Sequence, residues 1–356
     1  MPSKPGHPSD SEKGKNLSNT FDALLVVAFG GPEKREDVIP FLENVLRGRN
    51  VPEARKLEVA EHYYRFDGRS PLNHCTRALI AALEVELKKN RIELPLYWGN
   101  RNWKPFLNET IRQMAHDGVR NALALVLSAY GSYSGCRQYL ENIETACHEA
   151  GSSAPAIVKL RLFYNHPGFV LANADRLQTA MNELSSKTAT APFVAFTAHS
   201  IPKSMANSCD YERQLHETCR LVSEELEIPE SRWELVYQSR SGRPQDPWLE
   251  PDICDFIRSK KKEKLESLIA MPIGFLSDHL EVLYDLDEEA RLTAENRGIS
   301  FIRSRTVGTH PEFVKMLVEL IRERLDETFP KRSIGNNGPH HDTCPNDCCP
   351  APGKRP

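Results

Sequence analysis

Three carboxylates at a spacing of four, Glu281, Asp285 and Glu289, are residues whose type and pattern could handle a cation. They lie in MPIGFLSDHLEVLYDLDEEA (271–290), where an apolar run gives way to an acidic amphipathic stretch. On an α-helix that spacing stacks the carboxylates along one face, which could hold or pass a divalent ion. A solvated acidic face fits the same pattern, with Asp278 near the helix start, where negative charge meets the positive end of the helix dipole. A second stretch, FVAFTAHSIP (193–202), reads as a strand running into a polar turn closed by Pro202, so that His199 stands just past the strand end. Alone, such a histidine also fits a hydrogen-bonded structural role. Glu281 follows the strand-like SLIAMPIGF in the same relation, however, so in a parallel sheet both side chains can face one cleft. A neutral imidazole opposite a carboxylate can bind a borderline cation such as ferrous iron, and either can accept a proton near neutral pH.

Other segments carry chemistry of a different kind. AFGGPEKRED makes a tight turn through Gly30 and Gly31 but lacks the spacing of a dinucleotide fingerprint, so a nucleotide site is not supported. EHYYRFDGRSP (61–71) reads as a polar, aromatic loop carrying Tyr63, Tyr64, Arg65, Arg69 and Ser70. YGSYSGCRQYLEN (130–142) has the same character, with Tyr130, Tyr133, Arg137 and Tyr139. Such mixtures suit a flat aromatic ligand bearing carboxylates, because aromatic faces stack and Arg pairs bidentately with carboxylate, although a surface helix end has the same composition. CPNDCC near the C-terminus offers Cys344, Cys348 and Cys349, preceded by His340 and His341. That tail fits free thiols or a metal site.

These residues need elements to position them. Candidate strands at 22–29, 94–100, 122–130, 156–163, 193–199, 234–239, 267–275 and 300–307 alternate with amphipathic helical patterns, which implies parallel sheets covered by helices. At 356 residues the chain has material for roughly two domains, and two Rossmann-like halves with the active-site cleft between them are expected. The expected division is an arm over 1–20, halves over 21–165 and 166–310, a closing helix over 311–329 that crosses back to the first half, and a disordered tail over 330–356. Ligands in such folds bind outside the carboxyl ends of the strands. Lys plus Arg number 46 against 49 Asp plus Glu, and no basic block stands out beyond a short lysine run at 260–264, so a nucleic-acid partner is not expected. The first twenty residues lack the apolar core of a signal peptide, and no run approaches the ~18 apolar residues of a spanning helix, which makes a cytoplasmic enzyme the expectation. Six cysteines scattered through the body then read as reduced thiols.

Taken together, FGGPEKREDVIPFLENVLRGR, EHYYRFDGRSPLN, TAHSIP and GFLSDHLEVLYDLDEEA, in that order over about residues 21–329, resemble the ferrochelatase family. The FLENVLRGR and GRSPLN wording most resembles the soluble bacterial branch that metallates coproporphyrin III. The resemblance implies a chelatase-like fold and an enzyme of haem biosynthesis that inserts Fe2+ into a porphyrin, with coproporphyrin III expected and protoporphyrin IX as the alternative. A non-catalytic porphyrin or haem carrier and a cobalt chelatase of related fold are the other readings. It implies that His199 and Glu281 flank the porphyrin centre, binding iron and taking up pyrrole protons, and that Asp285, Glu288 and Glu289 continue as a metal or proton path. Ser70, Tyr139 and Tyr63 would contact the porphyrin. Phe29 stands where some members carry an iron-ligating tyrosine, and phenylalanine cannot coordinate a metal. Arg47, Arg65 and Arg69 are candidates to grip propionates. Insertion also needs cleft walls that hold a distorted macrocycle, which binding of the peripheral carboxylates can offset. Some members hold a 2Fe-2S cluster through C-terminal cysteines and an internal one. A cluster here would draw on Cys344, Cys348 and Cys349 plus Cys136, with Cys147 the second choice, and a zinc site using His340 or His341 is the alternative. Neighbouring haem-pathway enzymes are the partners implied.

Overall fold

Runs such as ALLVVA, NALALV and SLIAM are apolar at all but an occasional first position, the pattern of strands buried on both faces, and each forms an inner strand of a parallel sheet. A computed structural model describes residues 21–48, 51–187, 190–241, 245–260, 265–345 and 347–351; the expected N-terminal arm and most of the lysine run lie outside them. The first part of the chain runs β1 (Ala23–Ala28), α1 (Val38–Val45), α2 (Glu53–Tyr64), α3 (Leu72–Lys89), β2 (Leu96–Asn100), α4 (Leu107–His116), β3 (Asn121–Val126), α5 (Gln138–Ala150) and β4 (Ala156–Lys159). It continues with α6 (Pro167–Ser185), β5 (Phe193–His199), α7 (Lys203–Ala206), α8 (Tyr211–Glu225), β6 (Trp233–Gln238), α9 (Ile253–Lys260), β7 (Ser267–Met271), α10 (Leu280–Val282), α11 (Arg291–Glu295), β8 (Ser300–Arg303) and α12 (Pro311–Leu325). Tyr133–Arg137 and Leu283–Ala290 are π-helical, the wider turn often found at functional sites.

Two four-stranded sheets result, ordered β2-β1-β3-β4 and β6-β5-β7-β8, and every named pairing is parallel. In both, the chain leaves the first strand to one side and returns on the other. The crevice at the carboxyl ends of β5 and β7 is therefore a topological switch point, where such folds bind ligands.

Four strands stop about four residues short of their expected ends, at Val126, Lys159, Met271 and Arg303. The apolar residues that follow, among them Ala129, Tyr130, Leu162, Phe163 and Ile273, are buried in the core without belonging to a ladder, so hydrophobicity overran the strand. EHYYRFDGRSP is likewise not all loop: its first four residues complete α2.

The core is shared. Leu24, Val26 and Leu123 on one face of the first sheet belong to the same apolar cluster as Val194, Phe196 and Ile269 of the second. Phe163, Phe169 and Phe313 join the two, with ring centroids 5.6–6.1 Å apart. α12 packs on both α3 and α6. The outer sheet faces carry separate clusters, one under α4 and α5, the other under α9 and the 282–294 stretch.

The stretch expected to be a disordered tail instead lies along the body as far as it is described. Arg161 and Glu323, each 1% exposed, form a bidentate pair at 2.7 and 2.8 Å, and Arg161 also donates to the Arg332 carbonyl at 2.9 Å. Ile334 N–H donates to the Asn165 carbonyl, and Asn165 Nδ2 donates to that of Gly338. Asp342 pairs with Arg324 and Lys331. Polar backbone without periodicity can be ordered by side chains that reach it from the body, which composition does not reveal.

Candidate active site

β5 ends on His199, whose place is fixed by the register His199↔Gln238 and by Ser200 N–H donating to the Gln238 carbonyl. The Ser200 carbonyl lies 2.5 Å from His199 Nδ1. A carbonyl can only accept, so Nδ1 carries a proton, and in the neutral ring Nε2 presents a lone pair. That Nε2 lies 3.6 Å from Glu281 Oε2. The two residues expected to meet across the cleft do meet. The loop after β7 passes against β5 to bring this about: Gly274 N–H donates to the Thr197 carbonyl at 3.0 Å, and a Cβ at Gly274 would lie 2.7 Å from Ala198 Cα. Only glycine allows that approach.

His279 joins them, and nothing in its sequence position singled it out beyond standing two residues before Glu281. Its Nδ1 accepts from Glu281 N–H at 3.2 Å, capping α10, and lies 3.9 Å from Glu281 Oε2. Burial holds it below the usual histidine range, with Glu281 opposing and His199 adding to the shift.

The acidic line follows, but not on an α-helix. Residues 283–290 make π turns, so the four-residue stacking inferred for a regular helix is only approximate. Asp285 is largely buried and is pushed up to about 8, by burial first and then by the charges of Glu281, Glu289 and Asp252, against a lowering bond from Ser239. The Ser239 hydroxyl and the Gln238 side-chain amide Nε2 both donate to it, the latter at 3.3 Å, and Gln238 Nε2 also donates to the Glu281 carbonyl. Glu289 is exposed, and its carboxyl is raised by partial desolvation and then by Asp252. Glu288 is partly buried and paired with Arg65. Arg303 ties the middle of the segment to the turn before it: it donates to Asp287 at 2.6 and 2.9 Å and to Asp278 at 3.1 and 3.3 Å, while Thr306 also donates to Asp278. Gln238, Ser239 and Arg303 were not visible as site residues, because their proximity depends on sheet register.

The expected porphyrin contacts are spread around the first sheet. Tyr63, on the last turn of α2, packs edge-on against Phe41, and burial and then the Glu281 charge raise its hydroxyl, so it lies near the His199–Glu281 pair. Ser70 is buried under the Gly30-Gly31 turn, with its N–H donating to the Pro32 carbonyl; a Cβ on Gly31 would come within 2.8 Å of Ser70 Cβ. Phe29 is exposed, and Arg101 lies over both its ring (5.8 Å) and that of Tyr139 (4.5 Å). Tyr139 itself is buried in the cluster under α5. Arg47 bonds Asn44, leaving its grip on a ligand without a visible counterpart.

The cysteines fall into one chain of contacts. Cys136 neighbours Cys344 and Cys344 neighbours Cys348, each thiol shifting the other, and Cys348 lies 3.7 Å from Cys349. Cys344 and then burial push the Cys136 thiol up, while Lys159 pulls it down. His341, Cys344 and Cys348 place ligand atoms within 4.8 Å of one another. Cys147 is not part of this group; its sulfur faces the Pro155 carbonyl at 3.8 Å. His340 bonds the His341 carbonyl.

Known proteins resemble this chain in sequence and fold. The Ferrochelatase family model matches residues 21–325. A protein named ferrochelatase from Rhodopirellula baltica is 52% identical over 337 residues, covering 94% of this chain and 95% of its own. A coproporphyrin III ferrochelatase from Streptomyces coelicolor is 44% identical, covering 95% and 96%. Among solved structures, SirB from Bacillus subtilis with Fe3+ superposes with a TM-score of 0.53 at 11% identity, covering 87% of this chain and 99% of its own, a likeness of fold.

Proposed function

Since the chain belongs to the ferrochelatase family and is an enzyme that inserts a metal ion into a porphyrin, we propose that its reaction is insertion of Fe2+ into coproporphyrin III at His199 and Glu281. The observation that carries the site is the 3.6 Å approach of His199 Nε2, with its lone pair free, to the Glu281 carboxylate. Iron reaching the ring must replace two pyrrole protons. His199 Nε2 and Glu281 are bases on the spot, and Asp285, with an affinity for protons near neutrality, lies next in line to receive or release one. Gln238 and Ser239 hold Asp285 and the Glu281 backbone together, so that the first acceptor and the next keep their spacing. Tyr63, Ser70, Phe29 and Tyr139, with Arg101 between the last two, form the walls toward the first sheet. Phe29 offers no metal ligand, so the iron of the product gains no axial bond from that side chain.

Coproporphyrin III is favoured by the relatives that carry it in their names, at 43–45% identity over most of both chains. It bears more carboxylates than protoporphyrin IX, and Arg69, in the loop after α2, is a candidate to meet them, whereas Arg65 is engaged by Glu288. Its setting is the cytoplasm, where thiols stay reduced, and its partners are the enzymes that supply the porphyrin and take the product. Anaerobic metallation of the two porphyrins side by side tests the substrate: faster turnover of protoporphyrin IX would overturn it. Replacing Glu281 by Gln tests the site. Turnover should fall ~10²-fold or more while porphyrin binding, read by fluorescence, persists. A carrier would bind porphyrin and metallate none with either residue.

The contact chain Cys136–Cys344–Cys348–Cys349 matches the four thiolates a 2Fe-2S cluster takes. In this reading those four residues hold the cluster, which would supply one-electron redox chemistry and a cross-link between tail and body. A zinc ion on His341, Cys344 and Cys348 is the competing occupant.

A further inference from the structure

α2 and the π-helical segment Leu283–Ala290 meet across the mouth of the cleft through four side chains. The His62 ring stacks on Tyr284 with centroids 3.9 Å apart and planes 14° from parallel. The Arg65 guanidinium sits 5.5 Å from the Tyr284 ring centroid, and its Nη1 lies 3.3 Å from Glu288 Oε2. Tyr284 is in turn close enough to Glu289 for the two to shift each other's proton affinity. An isolated ion pair as exposed as this one, 60% for Arg65 and 32% for Glu288, is usually a bystander. Here the cation is held by an aromatic face that is itself braced by a second ring. Its partner, Glu288, stands next to Glu289 in the acidic line that leads through Asp285 to Glu281.

We propose that Arg65 is a gate residue for the metal: it occupies Glu288 in the resting enzyme, and the incoming divalent ion must displace the guanidinium to begin its passage inward. This rests on the reading of Asp285, Glu288 and Glu289 as the metal path. A guanidinium bound through one contact is a weak competitor for a divalent ion and a strong one for a monovalent ion, because the Coulomb energy scales with charge. Arg65 thereby filters by charge as well as delaying entry. Displaced, it stays tethered to Tyr284, close enough to return when the ion has passed.

The test is a cycle of Arg65→Gln, Glu288→Gln and the double variant, measuring the KM for Fe2+ and for porphyrin separately, together with Mn2+ binding by electron paramagnetic resonance without porphyrin. Arg65→Gln should lower the KM for Fe2+ and tighten Mn2+ binding about 2- to 5-fold, the range of an exposed pair. Arg65→Lys should restore most of the wild-type values. In the Glu288→Gln background the Arg65 substitution should have no further effect. If Glu288→Gln leaves the Fe2+ KM and Mn2+ affinity unmoved, the metal-path reading fails and the gate with it. If Glu288→Gln weakens the metal but Arg65→Gln leaves metal binding unchanged, or instead raises the porphyrin KM in both backgrounds, the path stands and the gate is overturned.

Discussion

At the scale of residues, Asp285 is where the structure adds most to the sequence. A carboxyl pushed up to about 8 from an ordinary 3.8 keeps in the folded protein a proton that the unfolded chain releases. Between those values the folded state binds more protons, so its stability falls as pH rises through the window. Asparagine, which imitates the protonated form, removes this dependence. In metal-free protein, the melting temperature of Asp285→Asn relative to wild type should therefore rise by at least ~2 °C between pH 5 and 8.5. A constant difference across that range would show that Asp285 is ionised throughout. His199 and Glu281 were legible in the sequence because each ends or follows an apolar strand. Gln238 and Ser239 were not, since only the pairing of β6 with β5 brings them to Asp285.

Among elements, the alternation of apolar runs with amphipathic stretches identified all eight strands and their parallel arrangement, because strands buried on both faces leave a continuous apolar signature. What escaped was the π-helical form of the acidic segment. Its wider turn is held from outside, by Arg303 reaching to Asp278 before the segment and Asp287 within it, and no local pattern encodes a clamp that arrives from β8. Replacing Arg303 by Met leaves two aspartates facing each other where Arg303 is only 13% exposed. Urea unfolding should show a loss of about 3–5 kcal/mol, with Arg303→Lys recovering part of it. A loss under ~1 kcal/mol would mean that the segment keeps its form without the clamp.

For the whole molecule, the tail is the largest departure from expectation. Cys136 was singled out by its place after a strand, but the approach of the tail to it depends on Arg161, Asn165, Arg324 and Lys331, which the composition of the tail does not disclose. With a cluster bound, the purified protein should absorb in the visible range and carry iron and sulfide in equal amounts. Cys136→Ser should lose both and lower the melting temperature, as the tie between tail and body goes. Colourless wild-type protein containing stoichiometric zinc would favour the His341, Cys344 and Cys348 site instead. The shared core has a mechanical consequence. With Phe163, Phe169 and Phe313 packed between the sheets, the halves have no plane about which to bend, and closing them by a hinge would open voids in close-packed apolar volume. Compliance is left to the rim, where α2 meets the π-helical segment through a few exposed contacts. The floor then acts as a fixed gauge: a planar ring that enters must bend to it, so the work of deformation falls on the macrocycle.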